Sequence, residues 1–238
     1  MIIVVMPALN EELSIGPVVS GYLSESSVKE VIVIDNNSTD NTAEIATLNG
    51  AKVLSCLSPG LGSALKLGIA YWKDSTSESS LLLVESDGTF SAKDVSKFLA
   101  YAPDAEIVLG SRTSRSLIWD GAYMPHWVRL GNWFVAKLTE FLYNGPSLTD
   151  IGCTSKLIKH GSLDRIDLSQ FTDSSHFNEQ FLVSLLEAKV NLVEIPLNYM
   201  PRIGQSKITG NNFYRTLQVG CIMVFDILYH KIRGKWIK

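Results

Sequence analysis

Short apolar runs alternate with amphipathic segments through the first half of the chain. Residues 2–5 and 31–34 are β-branched runs that end at turn-forming residues, as buried parallel strands do. Between these runs, residues 14–24 have the spacing of a helix. The alternation continues with helices predicted over residues 42–49, 61–72 and 92–101 and strands over residues 53–54, 80–84 and 107–109. Strands that alternate with helices predict an α/β fold with a parallel sheet.

The pattern changes after Gly110. Residues 121–144 are rich in aromatic side chains at helical spacing, and residues 175–187 predict another helix. A strand is predicted over residues 192–196. Neither an internal repeat nor a linker is visible, so we expect one domain over residues 1–210.

The tail over residues 211–238 predicts an amphipathic helix with a basic end. Its apolar face is followed by basic or titratable side chains, namely His230, Lys231, Arg233, Lys235 and Lys238. Such a helix can lie on an anionic membrane surface. Packing on the domain, or on a second copy to form a homo-oligomer, explains the same pattern equally well.

Composition narrows the class of protein. With 238 residues, 46% of them hydrophobic, the chain can bury one large core. The net charge of −3 gives no general attraction for nucleic acid, so any anion site must be local. The three cysteines, Cys56, Cys153 and Cys221, lack neighbours at ligand spacing, which argues against a disulfide framework and a zinc site.

We expect a cytoplasmic protein, peripheral on the cytoplasmic membrane face if the tail binds lipid. The apolar residues 1–6 have no basic leader and predict a strand rather than a signal peptide. No segment has the ~20 uninterrupted apolar residues of a membrane span.

Four polar clusters follow predicted strands, at residues 7–12, 35–40, 85–87 and 110–112. The carboxyl ends of parallel strands meet at one edge of a sheet, which is where ligands bind. Asp35 ends a hydrophobic strand, where its carboxylate can accept hydrogen bonds from a base or ribose. Ser38 and Asp40 are expected to cap the following helix instead. Gly60, Gly62 and Gly68 permit either close approach of a nucleotide or a plain tight turn.

The triplet Glu85-Ser86-Asp87 carries the most specific chemistry. Two carboxylates at positions i and i+2 after a strand can hold Mg²⁺ or Mn²⁺, with phosphate oxygens completing the coordination shell. Alone, such a triplet is more typical of a solvated acidic turn that caps the next helix. Its position beside Asp35 favours the metal site. Arg112, Arg129, Arg202 and Lys207 are isolated cations that suit phosphate, although each alone is also typical of a surface residue.

These motifs together resemble the family 2 glycosyltransferases, in order and in spacing. The resemblance is carried by residues 7–12, 33–42, 60–64 and 85–88. Further along the chain, the sequence is similar to the dolichol-phosphate mannosyltransferase-like branch of the family. This similarity is carried by residues 110–112, Arg129, Asp150, Glu179, residues 194–196 and residues 202–207. The chain departs from the family's pattern at three places. Glu85 stands where Asp is usual, and Asn36 and Asn37 stand near where a second acidic residue or a glycine is usual. Pro59 stands where lysine is frequent.

The resemblance implies a GT-A fold, which has a mixed, mainly parallel sheet flanked by helices. It implies that Glu85 and Asp87 hold Mg²⁺ or Mn²⁺ and that Arg112 and Arg129 face the acceptor. Binding of the nucleotide sugar is then expected from Pro7, Ala8, Asn10, Glu11, Asp35, Asn37, Gly62, Ser86, Arg202 and Lys207. The implied reaction is metal-dependent, inverting transfer of a sugar from a GDP- or UDP-sugar.

The acceptor that the resemblance favours is a polyprenyl or dolichyl phosphate. A phosphate oxygen is already an anion near neutral pH and needs no strong base, whereas a hydroxyl acceptor would need Asp150 or Glu179 as base. Glu179 also suits the first turn of its helix. The alternatives are a transferase with a soluble hydroxyl acceptor and a catalytically silent sugar-nucleotide-binding protein, the latter motivated by Glu85 and Pro59.

Overall fold

A computed structural model describes residues 1–75, 78–204 and 213–233 of the chain. Its strands are β1 (Ile2–Ala8), β2 (Val28–Asp35), β3 (Lys52–Ser55), β4 (Ser80–Leu83), β5 (Ile107–Ser111), β6 (Lys156–Ile158) and β7 (Leu192–Pro196). Its α-helices are α1 (Ile15–Leu23), α2 (Thr42–Leu48), α3 (Leu61–Asp74), α4 (Val95–Tyr101), α5 (His126–Tyr143), α6 (Phe177–Glu187) and α7 (Phe213–Arg233).

The strands form one sheet in the order β3-β2-β1-β4-β6-β5-β7. Neighbouring strands run parallel except at β6, which is antiparallel to both β4 and β5. The predicted mixed, mainly parallel sheet is therefore confirmed. Strand β6 was not predicted, because three residues that begin with a lysine give no apolar run.

Two hydrophobic clusters cover the two faces of the sheet. Side chains alternate along β1, so that Ile3 and Val5 join one cluster while Val4 and Met6 join the other. The first cluster takes in residues of α3, α5 and α6, and the second takes in residues of α1, α2 and α4. The sheet is thus buried on both faces, and the loops at its edges are left to carry polar side chains.

Most predicted helices agree with the structure to within a few residues. The helix predicted over residues 92–101 is a 3₁₀ turn, Ala92–Asp94, followed by α4. The aromatic segment predicted from residue 121 becomes helical only at His126, directly after Pro125, whose extended backbone precedes the helix.

Helix α7 is confirmed as an amphipathic helix within the tail and packs against α5 and α6. Its Ile227 is buried in the first cluster, the Tyr143 hydroxyl donates to the Ile227 carbonyl at 3.0 Å, and the Trp127 and Phe213 rings lie 5.0 Å apart. The basic residues beyond position 233 lie outside the described residues. Among the helices that the structure describes, none is long and apolar enough to span a membrane.

Close packing of α3 on the sheet predicts that Gly68→Ala destabilises the protein. A Cβ atom at Gly68 would lie 2.4 Å from Cγ1 of Val5 and 3.3 Å from Cγ1 of Ile34. Overpacking of this kind costs about 1–3 kcal/mol, which outweighs the helical preference of alanine. Urea unfolding should show the loss as a lower midpoint.

Gly131→Ala is the matched control, since Gly131 is also within a helix but a Cβ atom there would meet nothing within 4 Å. That substitution should leave the free energy of unfolding unchanged or raise it by up to about 1 kcal/mol. Equal midpoints for the two variants would contradict the close approach of α3 to β1.

Candidate active site

The loops after β1 and β2 are fastened to each other by hydrogen bonds. The amide of Asn10 donates to Oγ of Ser38 at 3.0 Å, and the amide of Glu11 donates to Oγ1 of Thr42 at 2.7 Å. Oδ1 of Asp40 accepts from the amide of Thr42 at 3.0 Å. Asp40 therefore satisfies the first amide of α2, although the N-cap residue is Asn41, whose side chain makes no capping bond. The capping prediction is wrong for Ser38, whose hydroxyl holds the first loop instead.

The residues at the end of β2 face the segment that precedes α3. Oδ1 of Asp35 accepts from the amide of Ser38 at 3.3 Å, and the Asp35 side chain is half-buried. Nδ2 of Asn37 donates to the carbonyl of Leu57 at 3.0 Å. The buried Asn36 accepts from the amide of Gly60 at 2.8 Å. These bonds fix the strand end at which Asp35 was predicted to meet a nucleotide.

The acidic triplet follows β4 at the same edge of the sheet. Oγ of Ser86 donates to the carbonyl of Pro7 at 2.8 Å, which joins the triplet to the end of β1. Oδ1 of Asp87 accepts from the amide and hydroxyl of Thr89 at 3.0 and 2.6 Å. Burial, reinforced by the neighbouring charge of Asp87, raises the pKa of Glu85 to about 7. The carboxylates therefore form a confined, negatively charged pair.

Arg202 bridges two of the acids at this edge. Its Nη1 donates to Oδ2 of Asp87, and its Nη2 donates to Oε1 of Glu11. Both acids are almost fully buried, so each depends on this cation. The sequence predicts that Arg202 binds phosphates. In this structure its guanidinium instead donates to Asp87, the predicted metal ligand. Lys207, its predicted companion, lies outside the described residues.

The glycines at the start of α3 approach the protein's own chain. The amide of Gly62 donates to the carbonyl of Asp173 at 2.9 Å, and a Cβ at Gly62 would lie 2.2 Å from the carbonyl oxygen of Thr172. Gly60 has φ +114°, and a Cβ atom there would likewise come too close to a carbonyl oxygen, that of Asp173. The close neighbour of Gly62 is therefore the loop before α6, and its contact with a nucleotide sugar stays a prediction.

Arg112 and Asp150 form a buried, two-pronged ion pair. Nε of Arg112 donates to Oδ2 of Asp150 at 2.7 Å, and Nη2 donates to Oδ1 at 2.8 Å. Burial alone would raise the pKa of Asp150, but the charge and hydrogen bonds of Arg112 lower it below its ordinary value. Asp150 is thus a poor candidate for a general base, and Arg112 presents its guanidinium to Asp150 rather than to an acceptor.

Glu179, the other candidate base, is enclosed at the start of α6. Only 1% of its surface is exposed, and its Oε1 lies 3.0 Å from Nδ1 of His176. Burial raises the pKa of Glu179. The side chain therefore lacks the open path that a base acting on a bound hydroxyl needs.

Sequence reasoning missed a buried lysine beneath the acidic triplet. Lys156 is 2% exposed, and its Nζ donates to the carbonyl of Cys153 and to Oδ1 of Asn178, the latter at 3.1 Å. Nδ2 of Asn178 donates to Oγ1 of Thr154 at 2.9 Å, and Thr154 in turn bonds to Glu85. Burial lowers the pKa of Lys156 to about 8. No local pattern signals such a residue, because lysines are rarely buried.

A cavity of about 640 Å³ opens beside the ion pair, between the end of β5 and α5. Its lining includes Ser111, Arg129, Trp133, Thr149 and Glu194. Arg129 is partly exposed there, as the acceptor-facing prediction requires. Glu194 accepts from the amides of Thr149 and Asp150, and so holds the segment that carries Asp150.

The buried ion pair predicts that Arg112→Ala is severely destabilising. The substitution leaves Asp150 buried without its partner, which costs about 3–5 kcal/mol. Because the pKa of Asp150 is lowered by folding, its contribution is complete above the unfolded value of about 3.9 and is lost as the pH falls through the folded value. The difference in unfolding free energy between wild type and variant should therefore be full at pH 7 and shrink under acid conditions.

Arg165→Ala serves as the control, since its partner Glu106 and Arg165 itself are both well exposed. An exposed pair contributes about 1 kcal/mol or less. Similar losses for the two arginine variants in chemical unfolding at pH 7 would contradict the buried ion pair.

Comparison with known proteins identifies the family of the chain. The family model described as "Glycosyl transferase family 2" matches residues 3–167. A dolichyl-phosphate hexose transferase of Haloferax volcanii is 26% identical over 206 residues, which cover 86% of this chain and 85% of the relative. An undecaprenyl-phosphate mannosyltransferase of Micrococcus luteus is 25% identical over 231 residues, with 88% of each chain covered.

The fold has solved counterparts. Glucosyl-3-phosphoglycerate synthase from Mycobacterium tuberculosis, crystallised with Mn²⁺, UDP and glucosyl-3-phosphoglycerate, matches with a TM-score of 0.71 and 20% identity. The match covers 97% of this chain and 79% of the synthase. This likeness confirms the predicted GT-A fold.

Proposed function

The chain belongs to glycosyl transferase family 2 and is a glycosyltransferase, and we propose that it moves a hexose from a nucleotide sugar to a polyprenyl phosphate at a membrane surface. The observation that carries the choice of acceptor is the state of the two candidate bases. Asp150 is held by Arg112 and Glu179 is buried against His176. A phosphate acceptor needs neither residue as a base.

The donor binds, in this proposal, along the edge formed by the ends of β1, β2 and β4. Asp35 is partly exposed there and accepts hydrogen bonds from the nucleoside. The loop of Asn10 and Glu11 lies beside it. The Mycobacterium tuberculosis synthase with the same fold was crystallised with UDP. That precedent supports a nucleotide at this edge. The proposed nucleotide site is completed by Pro7, Ala8, Asn37 and Ser86.

Glu85 and Asp87 fit a hard divalent cation. Both offer carboxylate oxygens, the ligands that Mg²⁺ and Mn²⁺ prefer, and the pKa of Glu85 is raised first by burial and then by the neighbouring charge of Asp87, as expected for two acids close together in a confined space. When bound, the ion supplies positive charge that stabilises the departing nucleoside diphosphate. A cation held by Glu85 and Asp87 would compete with Arg202 for Oδ2 of Asp87, and a guanidinium released in this way would suit the diphosphate.

The acceptor phosphate is proposed to enter the cavity beside α5. Arg129 lines this cavity, and its Nη2 lies 3.3 Å from Nδ1 of His126, so two basic side chains meet at its wall. A phosphate oxygen attacks the anomeric carbon from the face opposite the leaving group. The bond to the nucleoside diphosphate breaks, and an α-linked donor gives a β-linked product.

The apolar surface around the cavity supports a lipid chain on the acceptor. Helices α5 and α7 leave large apolar side chains in solvent, namely Trp127, Leu130, Trp133, Phe134, Phe141, Phe213, Leu217, Ile222, Phe225, Leu228 and Ile232. Surfaces of this kind bind membranes or other proteins. The two relatives named for dolichyl and undecaprenyl phosphates favour the membrane. The proposal therefore includes peripheral attachment at the cytoplasmic face.

Asp87→Asn should reduce sugar transfer by at least about 10²-fold, because it removes charge from the site where the leaving group is stabilised. Transfer of labelled sugar to detergent-dispersed polyprenyl phosphate measures the effect, after GDP- and UDP-sugars have been screened with Mn²⁺ for thermal stabilisation. Asp164→Asn, in an exposed carboxylate paired with Lys73, is the control and should keep full activity. Wild-type turnover in a folded Asp87→Asn protein would refute the donor site.

The acceptor is tested by comparing a polyprenyl phosphate with the corresponding polyprenol. Only the phosphate should accept sugar, since Asp150 is paired with Arg112 and Glu179 is enclosed, so neither candidate base is available to a hydroxyl. Arg129→Ala should raise KM for the lipid phosphate about tenfold, as loss of a charge-assisted hydrogen bond predicts. Arg165→Ala should leave this KM unchanged. Equal transfer to polyprenol, or to soluble hydroxyl acceptors alone, would exclude the proposed acceptor.

A further inference from the structure

A second cluster of potential metal ligands joins α6 to α7. His176 precedes α6, Glu179 lies in its first turn, and Asp226 lies on α7. One ligand atom from each of the three side chains lies within 4.8 Å of the other two. The cysteine pattern of the chain argued against a zinc site, but this cluster uses no cysteine, and its third member comes from a distant part of the sequence.

The charges in this cluster are not balanced by the side chains alone. Glu179 is 1% exposed, and its buried Oε2 has no hydrogen-bond partner among the described residues. The nearby Asp226 carboxylate raises the pKa of Glu179 further, after burial. Asp226 is partly exposed, but a buried carboxylate such as Glu179 that has a second carboxylate close to it needs a cation or a shared proton.

We propose that His176, Glu179 and Asp226 bind Zn²⁺, which fastens α7 to the catalytic domain. One imidazole nitrogen and two carboxylate oxygens form a ligand set that zinc accepts, with water in the fourth position. Zinc bonds of ~2.1 Å place tetrahedral ligands about 3.4 Å apart. The 3.0 Å separation of Nδ1 of His176 and Oε1 of Glu179 is close to that spacing, and a carboxylate oxygen of Asp226 lies within 4.8 Å of both ligand residues.

The zinc site connects the acceptor side of the protein to the donor side. Asp226 stands on the helix whose exposed face carries Phe225 and Leu228. His176 closely follows the loop of Thr172 and Asp173, which packs on Gly62 in the first turn of α3. A metal at the cluster fixes the position of α7 relative to that loop. This role goes beyond the proposed transfer reaction and does not depend on it.

Metal titration of the full-length protein tests the site. Asp87→Asn provides the background, because it disables the separate Glu85 and Asp87 site. Co²⁺, a spectroscopic substitute for Zn²⁺, should bind this variant with one equivalent, give visible absorption bands of a four-coordinate ion, and be displaced by Zn²⁺. Adding Asp226→Asn should remove the bands and weaken Zn²⁺ binding at least about 100-fold, as expected when one of three protein ligands is lost.

Glu187→Gln is the matched control, since Glu187 is an acid near α7 on the same helix but lies outside the cluster. It should keep the bands and the affinity for Zn²⁺. Limited proteolysis supplies a readout independent of spectroscopy: Zn²⁺ should slow cleavage within α7 in the parent but not in the Asp226→Asn protein. Absence of Co²⁺ bands in the folded parent, or equal Zn²⁺ affinity with and without Asp226, would overturn the proposal.

Discussion

The guanidinium of Arg202 lies between the carboxylates of Glu11 and Asp87, and the charge balance of the whole ligand-binding edge depends on that position. The fold gathers acids at this edge because parallel strands end there together. Buried carboxylates without a cation are costly, so the segment after β7 crosses the edge and brings one. The amide of Ile203 donates to the carbonyl of Asp87 at 3.0 Å, which holds the crossing segment in place. In the proposed donor site, a metal ion would therefore compete with Arg202 for the same oxygen of Asp87.

A second constraint concerns the two side chains that could act as a base toward an acceptor. The buried pairing of Arg112 with Asp150 removes one candidate base, and the enclosure of Glu179 removes the other. The cavity beside α5 brings Arg129 and His126 to one wall, and apolar helix surfaces lie around it. Its one acidic lining residue among those described, Glu194, accepts hydrogen bonds from the amides of Thr149 and Asp150. The proposal of an anionic acceptor with a lipid chain rests on these engaged carboxylates and on the apolar surface.

Much of this architecture could be predicted from the sequence, because it rests on local patterns. The β-branched runs predict the parallel strands, and the polar residues that follow them predict the edge at which Asp35 and Asp87 meet. Other features depend on partners far along the chain. Arg112 offers no local sign that Asp150 will hold it, and Gly62 offers none that the loop at Asp173 will pack on it. Strand β6 escapes prediction for a different reason, since a buried lysine within three residues resembles a loop.

The proposed donor site, in which Glu85 and Asp87 hold a divalent ion against the donor diphosphate, is tested most directly by a crystal structure with Mn²⁺ and a nucleoside diphosphate. We expect anomalous density for manganese ~2 Å from a carboxylate oxygen of Asp87, the usual distance for such ions. We also expect diphosphate oxygens on the same ion and Arg202 moved away from Asp87. Manganese and diphosphate bound elsewhere, with the pair of Arg202 and Asp87 intact, would contradict the proposed donor site.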